Sequence, residues 1–378
     1  MKKNTLCVIL FSLLFFSLAC RKEQQAKPGD TEQVGDGENG TIAGFYLLNE
    51  GNMNMNKASL DYYDYASGQY RRDMYGQANP DVVKGLGDVG NDVGVYGSKL
   101  YVVVNVSNKV DVLDVKTGKR LKQINLGNCR YVTFHKGKAY VSAYLGSIGD
   151  PNSPKGIVAE IDTASLAITR RVTVGRQPEE MAVVGEKLYV ANSGGYSPPD
   201  YERTLSVVDL NTFTETRRID VGINLNRVKA DAYGDLYVTS RGDYYEIPSR
   251  LYVVDTQKEA VKKAFDIPAG NLTIDGDKAY IISADFNYKT GENTIRYSML
   301  DVRSETPLAG SFITDGTEKS IRMPYGIAIN PETKDILLTD ARDYVTPGML
   351  YCFGADGRKK WSVSTGDIPA HFAFIYKK

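Results

Sequence analysis

Leu100-Tyr101-Val102, Leu188-Tyr189-Val190 and Leu236-Tyr237-Val238 are three copies of one short apolar run with a tyrosine at its centre. Related runs stand at Phe45-Tyr46-Leu47, Ala139-Tyr140-Val141, Ala279-Tyr280-Ile281 and Ile336-Leu337-Leu338, which makes seven copies spaced 39 to 57 residues apart. A second run ending in aspartate follows in five units: Val110–Asp114, Val158–Asp162, Ser206–Asp209, Tyr252–Asp255 and Tyr297–Asp301. Each unit reads as four short β runs with no convincing amphipathic helix. A four-stranded unit of ~40–50 residues is the blade of a β-propeller. The expectation is therefore an all-β, seven-bladed propeller over residues 43–378.

These runs resemble the YVTN/YncE-like propeller repeat, in which the Leu-Tyr-Val run is the second strand of a blade. The resemblance implies that the chain enters the ring at a second strand, residues 45–49. The innermost strand of that blade must then come from the other end. The run His371-Phe372-Ala373-Phe374-Ile375-Tyr376 fits, and the ring is expected to close by this C-terminal strand joining the N-terminal blade, which leaves no open edge.

Strand alternation sorts the connectors onto two faces. One face holds tight turns such as Lys136-Gly137, Gly185-Glu186 and Gly234-Asp235. The other holds long stretches at 49–59, 75–91, 144–156, 192–203, 240–249, 283–293, 315–324 and 340–348. Loops on a rigid scaffold carry function, although neutral insertion is also cheap. The long loops contain Tyr144, Tyr196, Tyr201, Tyr244, Tyr245, Tyr288 and Tyr344, together with Arg241 and Arg342. Tyrosine offers a large rigid surface and a hydroxyl at low entropic cost, so these residues are candidate ligand contacts.

Aligning the innermost strands produces a column of polar or amphipathic residues: Asp92, Tyr131, Glu180, Arg227, Asn271, Tyr325 and His371. They are expected to ring the channel mouth on the long-loop face, extended by their neighbours Asn91, Arg130, Glu179 and Asn226. The ring either receives a ligand or simply lines a water-filled tunnel.

Composition narrows the chemistry. The 378 residues carry 46 basic and 46 acidic side chains, with 26 Tyr, 2 His and 4 Cys. Zero net charge gives no footprint for nucleic acid. Two histidines supply no His-rich metal centre and few catalytic pairs. There is no nucleophile elbow and no phosphate loop, so no catalytic residue and no cofactor is expected. Carboxylates near the mouth leave open a Ca²⁺ site on Asp92, Glu180 and Asn271. Cys129 and Cys352 fall in non-adjacent blades and are expected as free thiols.

The N-terminus reads as an address. Lys2 and Lys3 precede an apolar run, Leu6 to Leu18, too short for a span of ~20 residues and suited to a secretory signal. It ends Leu18-Ala19-Cys20, which resembles a bacterial lipobox. That makes 1–19 a signal peptide and Cys20 the lipidated first residue; an ordinary signal with an incidental Cys is the alternative. Residues 20–42 are nearly free of apolar side chains and read as a flexible tether. Arg21 and Lys22 directly follow the Cys and only Glu23 is acidic, which argues against the exterior face and leaves the periplasmic face open.

Lipobox, tether, seven repeats and Tyr/Arg/Asn-rich loops together resemble the surface cobalamin-capturing propeller lipoproteins of gut Bacteroidetes. The resemblance implies a monomer lipid-anchored at the outer membrane. It implies capture of a corrinoid on the long-loop face and transfer to a TonB-dependent transporter. The other reading is a periplasmic Ca²⁺-dependent propeller enzyme of lactonase-like or hydrolytic type.

Overall fold

The computed structural model describes residues 27–377 apart from 147–149, 151, 196, 198 and 199. Cys20 and Tyr196 lie outside the described residues. Seven antiparallel sheets follow one another around a central channel. Blade 2, for example, runs outward through Gly90–Tyr96, Lys99–Val104, Lys109–Asp114 and Arg120–Asn125. The Leu-Tyr-Val run is the second strand in each blade, as the repeat implies.

Both halves of the repeat have a physical job. The aspartate that ends the third strand caps its own turn. Asp209 accepts from the N–H groups of Asn211 and Thr212, both at 2.9 Å, and Asp255 accepts from Gln257 and Lys258 at 2.9 and 2.8 Å. The motif tyrosine reaches into the next blade. Tyr46, Tyr189 and Tyr237 donate their hydroxyls to the carbonyls of Val115, Thr256 and Val302 at 3.1, 3.3 and 3.1 Å. Each acceptor directly follows the capping aspartate of that blade's third strand.

The core therefore lies between blades. Tyr101, Val103, Val110 and Val112 of blade 2 pack on Ala139, Val141, Ile157 and Ile161 of blade 3. The last interface is built the same way, with Phe45, Leu47 and Tyr63 of blade 1 against Leu337, Leu350, Cys352 and Val363 of blade 7. Cys129 and Cys352 are both buried free thiols, and Cys129 opens the inner strand of blade 3.

The ring closes as the sequence indicates. Pro369–Tyr376 pairs antiparallel with Ile42–Asn49 and becomes the innermost strand of blade 1. The segment read as a tether is different: its residues from Lys27 onward lie on this blade. Thr31–Gln33 adds a fifth, outermost strand against Gln69–Arg71. Val34 and Glu38 donate backbone N–H groups to Gly68 and Tyr65 at 3.1 and 2.7 Å. Composition predicted flexibility because few apolar groups are present; the segment is held by backbone pairing, which composition does not register. The 75–91 connector also departs from the expected plain loop. It holds a short helix, Met74–Ala78, whose Tyr75 is buried and donates to Asp111 at 3.0 Å.

Truncation before Pro369 would strip blade 1 of its inner strand and reopen the ring. The expected outcome is loss of the cooperative melt followed by circular dichroism. A truncated chain that melts at the full-length temperature would contradict this closure.

Candidate functional site

The site begins with a backbone irregularity. In blade 4, Pro178 pairs with Asn192 and Met181 with Val190, so Glu179 and Glu180 together face one residue, Ala191. The same two-for-one bulge places Arg130-Tyr131 opposite Ser142, Asn226-Arg227 opposite Thr239, and Tyr325-Gly326 opposite Thr339. In blade 2 the shift falls at Asn91. A bulge unpairs the ladder locally and re-aims side chains. It also frees N–H groups that need acceptors.

Two kinds of acceptor serve here. In three blades a hydroxyl directly opposite the bulge takes one N–H: Tyr131 donates to Ser142, Arg227 to Thr239 and Gly326 to Thr339, at 3.1, 3.0 and 2.7 Å. In two, a carboxylate from the preceding blade takes the next: Val132 donates to Asp92 and Val228 to Glu180, at 2.9 and 2.8 Å. Asp92 and Glu180 are thus structural pins across blade boundaries. Glu180 also holds Lys229 at 2.5 Å, and its carboxyl is lowered, with burial opposing the pull of Lys229 and Arg227.

Above these pins the bulges open a cavity of about 1030 Å³ at the centre of the long-loop face. Of the residues singled out from the sequence, it is lined by Asn91, Arg130, Tyr131, Tyr144, Glu179, Asn226, Arg227, Arg241, Tyr244, Tyr245, Asn271, Tyr288, Tyr325, Arg342 and Tyr344. Asp92, Glu180 and His371 belong to the channel ring but not to the cavity wall. His371 sits between Glu50 and Asp92, at 3.2 and 3.5 Å. Burial raises the Asp92 carboxyl, with His371 pulling the other way. Tyr201 is buried away from the wall.

Glu179 is the hub of the floor. It accepts from Arg130 Nε and Nη2 at 3.1 and 2.8 Å, Arg241 Nη1 at 3.2 Å and the Tyr144 hydroxyl at 2.6 Å. Its side chain is 2% exposed. Burial opposes ionisation, yet Arg130 and Arg241 dominate together and lower the carboxyl to about 2. Arg130 and Arg241 continue outward to the Asn91 and Asn226 side-chain oxygens. Arg130 also lies over the rings of Tyr131 and Tyr144 at 5.6 and 5.1 Å. Tyr131 is buried, which pushes its hydroxyl up to about 12 against the pull of Arg227.

One wall is aromatic. The stretch 283–293, expected as a loop, is the far end of a long hairpin formed by Lys278–Asn287 and Glu292–Asp301. It carries Phe286 and Tyr288 to the cavity edge. Tyr245 stacks on Tyr288 at 5.3 Å, while Tyr244 and Phe286 meet Tyr288 edge-on at 6.2 and 4.9 Å. Tyr245 and Tyr288 stay exposed. In the next blade Tyr325 meets Tyr344 edge-on at 5.8 Å.

Sequence reasoning missed Glu50, Asn105, Met53 and Met323 on the wall and did not rank Glu179 above its neighbours. The available signal was a pair of adjacent polar residues ahead of the Leu-Tyr-Val run in blades 2 to 5, matched by Ser142 or Thr239 after it in blades 3 and 5. The Ca²⁺ option finds no convergence. Asn271 bonds the Tyr325 carbonyl at 3.0 Å and its own neighbour's N–H, while Asp92 and Glu180 are engaged as above. Among the described residues no group of three or more His, Cys, Asp or Glu could hold a metal ion.

Fold and site together define a seven-bladed β-propeller with a wide polar and aromatic cavity at the mouth of its channel. Residues 43–372 match the family described as "Domain of unknown function (DUF5074)", and the chain belongs to that family. No curated protein sequence matches it. Solved structures of similar fold include Kuenenia stuttgartiensis hydrazine synthase (TM-score 0.54, 15% identity, 71% of this chain and 77% of that one). The computationally designed Ika8 protein follows (0.52, 10%, 92% and 94%). Dihydro-heme d1 dehydrogenase NirN in complex with DHE is a third (0.53, 12%, 92% and 77%). At these identities the likeness concerns the fold alone.

The Glu179 hub sets an acid dependence. A carboxyl lowered on folding stabilises above its unfolded value of ~4.3, and that contribution fades as pH falls toward the folded value. Stability is expected to drop between pH ~4.3 and about 2. Glu179→Gln should weaken that drop and cost about 3 kcal/mol at neutral pH, because two partly buried guanidiniums lose their shared, buried counter-charge. Urea titrations at several pH values measure both; an unchanged neutral-pH midpoint in the variant contradicts the hub.

Proposed function

We propose that this protein is a ligand-capture propeller whose long-loop cavity takes a large amphiphilic molecule, a corrinoid such as cobalamin, without transforming it. The carrying observation is the cavity: about 1030 Å³, central, and walled by tyrosines, arginines and asparagines. Its volume stands at the upper end of the ~300–1,000 Å³ usual for small-molecule sites, which suits a broad ligand. A corrinoid has an extended face with amide groups at its edge. The exposed Tyr245–Tyr288 stack offers such a face a platform, and Asn226 and the guanidiniums offer the amides partners.

Attachment to the outer membrane through lipid on Cys20, at the cell surface, belongs to the same reading. So does delivery to a TonB-dependent transporter, with the protein acting as a monomer. The lipobox and the long loops around the cavity support these parts. The enzyme reading gains no observation here, since Asp92, Glu180 and Asn271 each serve separate neighbours.

Equilibrium dialysis of the purified protein against cyanocobalamin tests the reading: stoichiometric retention is expected, and no retention at micromolar protein removes the corrinoid. Tyr245→Ala combined with Tyr288→Ala should raise Kd about tenfold or more, as expected for aromatic anchors. An unchanged Kd would mean the ligand does not use this wall.

A further inference from the structure

One floor residue is provided for differently from the rest. Arg130 and Arg241 share Glu179, and Lys229 holds Glu180. Arg227, the second residue of the blade 5 bulge, has no carboxylate within ion-pair distance among the described residues. Its Nε is buried with no hydrogen-bond partner. The residue is only 7% exposed yet lines the cavity. Its guanidinium lies over the Tyr131 ring at 5.1 Å.

The nearby carboxylates are occupied. Glu180 accepts from Val228 N–H and Lys229 Nζ. Glu50 accepts from the Tyr325 hydroxyl at 2.9 Å and faces His371 at 3.2 Å. The bulge itself is secured by the Arg227 backbone N–H on Thr239, so the ladder does not need the side chain. Burying a guanidinium with an open donor is costly. The Tyr131 ring, 5.1 Å from the guanidinium, offsets part of that cost, leaving the terminal donors for something that enters the cavity.

We propose that Arg227 is an oxyanion receptor in the cavity floor, built to take a phosphate or carboxylate group of the captured ligand. A guanidinium presents paired N–H donors that match two oxygens of one such group, at charge-assisted strength. The inference rests on the reading that the cavity receives a ligand, but it does not require that ligand to be a corrinoid.

The test uses the intact protein and inorganic phosphate at constant ionic strength, followed by the ³¹P line width, with acetate as competitor. Wild type is expected to bind one phosphate per chain saturably, and acetate should displace it. Arg227→Gln should raise the phosphate Kd tenfold or more, and Arg227→Lys should retain part of the affinity. Absence of saturable binding in wild type overturns the proposal. So does undiminished binding in Arg227→Gln, or, where that variant fails to fold, affinity in Arg227→Lys equal to wild type. Cyanocobalamin dialysis run in parallel separates the two claims. Phosphate binding without cyanocobalamin retention leaves the receptor and removes the corrinoid. Retention without phosphate binding does the reverse.

Discussion

The bulge near the start of the inner strands is the constraint on which the rest of this molecule depends. Regular inner strands would alternate their side chains between neighbouring blades and pair every backbone group along the ladder. By inserting two residues opposite one, as at Glu179-Glu180 or Asn226-Arg227, the chain releases consecutive polar side chains at the channel mouth. The released N–H groups need acceptors, since an unmet buried donor costs about 1–3 kcal/mol. Ser142, Thr239 and Thr339 supply them within the blade, and Asp92 and Glu180 supply them from the blade before. One device thus joins blades, stiffens the channel rim and floors the cavity.

This arrangement divides labour among residues of one type. Glu180 pins strands, whereas Glu179, its immediate neighbour, gathers two arginines and a tyrosine under the cavity. Tyr237 ties two blades through Val302, and Tyr131 carries Arg227 on its ring. Tyr288 remains exposed on a hairpin tip among other rings. A rigid floor with fixed charges and a raised aromatic wall is the form expected of a site that selects a ligand by shape and a few polar anchors. The loops supply the wall while the inter-blade core holds the floor in place.

The repeat was legible because its parts answer to local chemistry. A tyrosine between apolar residues marks the second strand in six blades and the inter-blade bond at Tyr46, Tyr189 and Tyr237, and an aspartate at the end of the third strand marks its turn. Ring closure by residues 369–376 was legible too, since an unpartnered inner-strand pattern remained at one end. The polar column was found as residues, but not as geometry: a register shift leaves no mark in hydrophobic periodicity, and its hydroxyl partner lies on the neighbouring strand. Loop composition likewise could not tell Tyr201, turned inward, from Tyr245, left exposed. The order at Thr31–Gln33 was hidden because backbone pairing with Gln69–Arg71 needs no apolar side chain.

Hydrogen–deuterium exchange with and without cyanocobalamin tests most directly the claim that the bulged floor and its aromatic wall form one binding site. The account predicts ligand-dependent protection in peptides spanning 225–230, 240–249 and 284–294, with the short-turn face unchanged. Protection confined to the short-turn face or the outer strands, or none under saturating ligand, would contradict it.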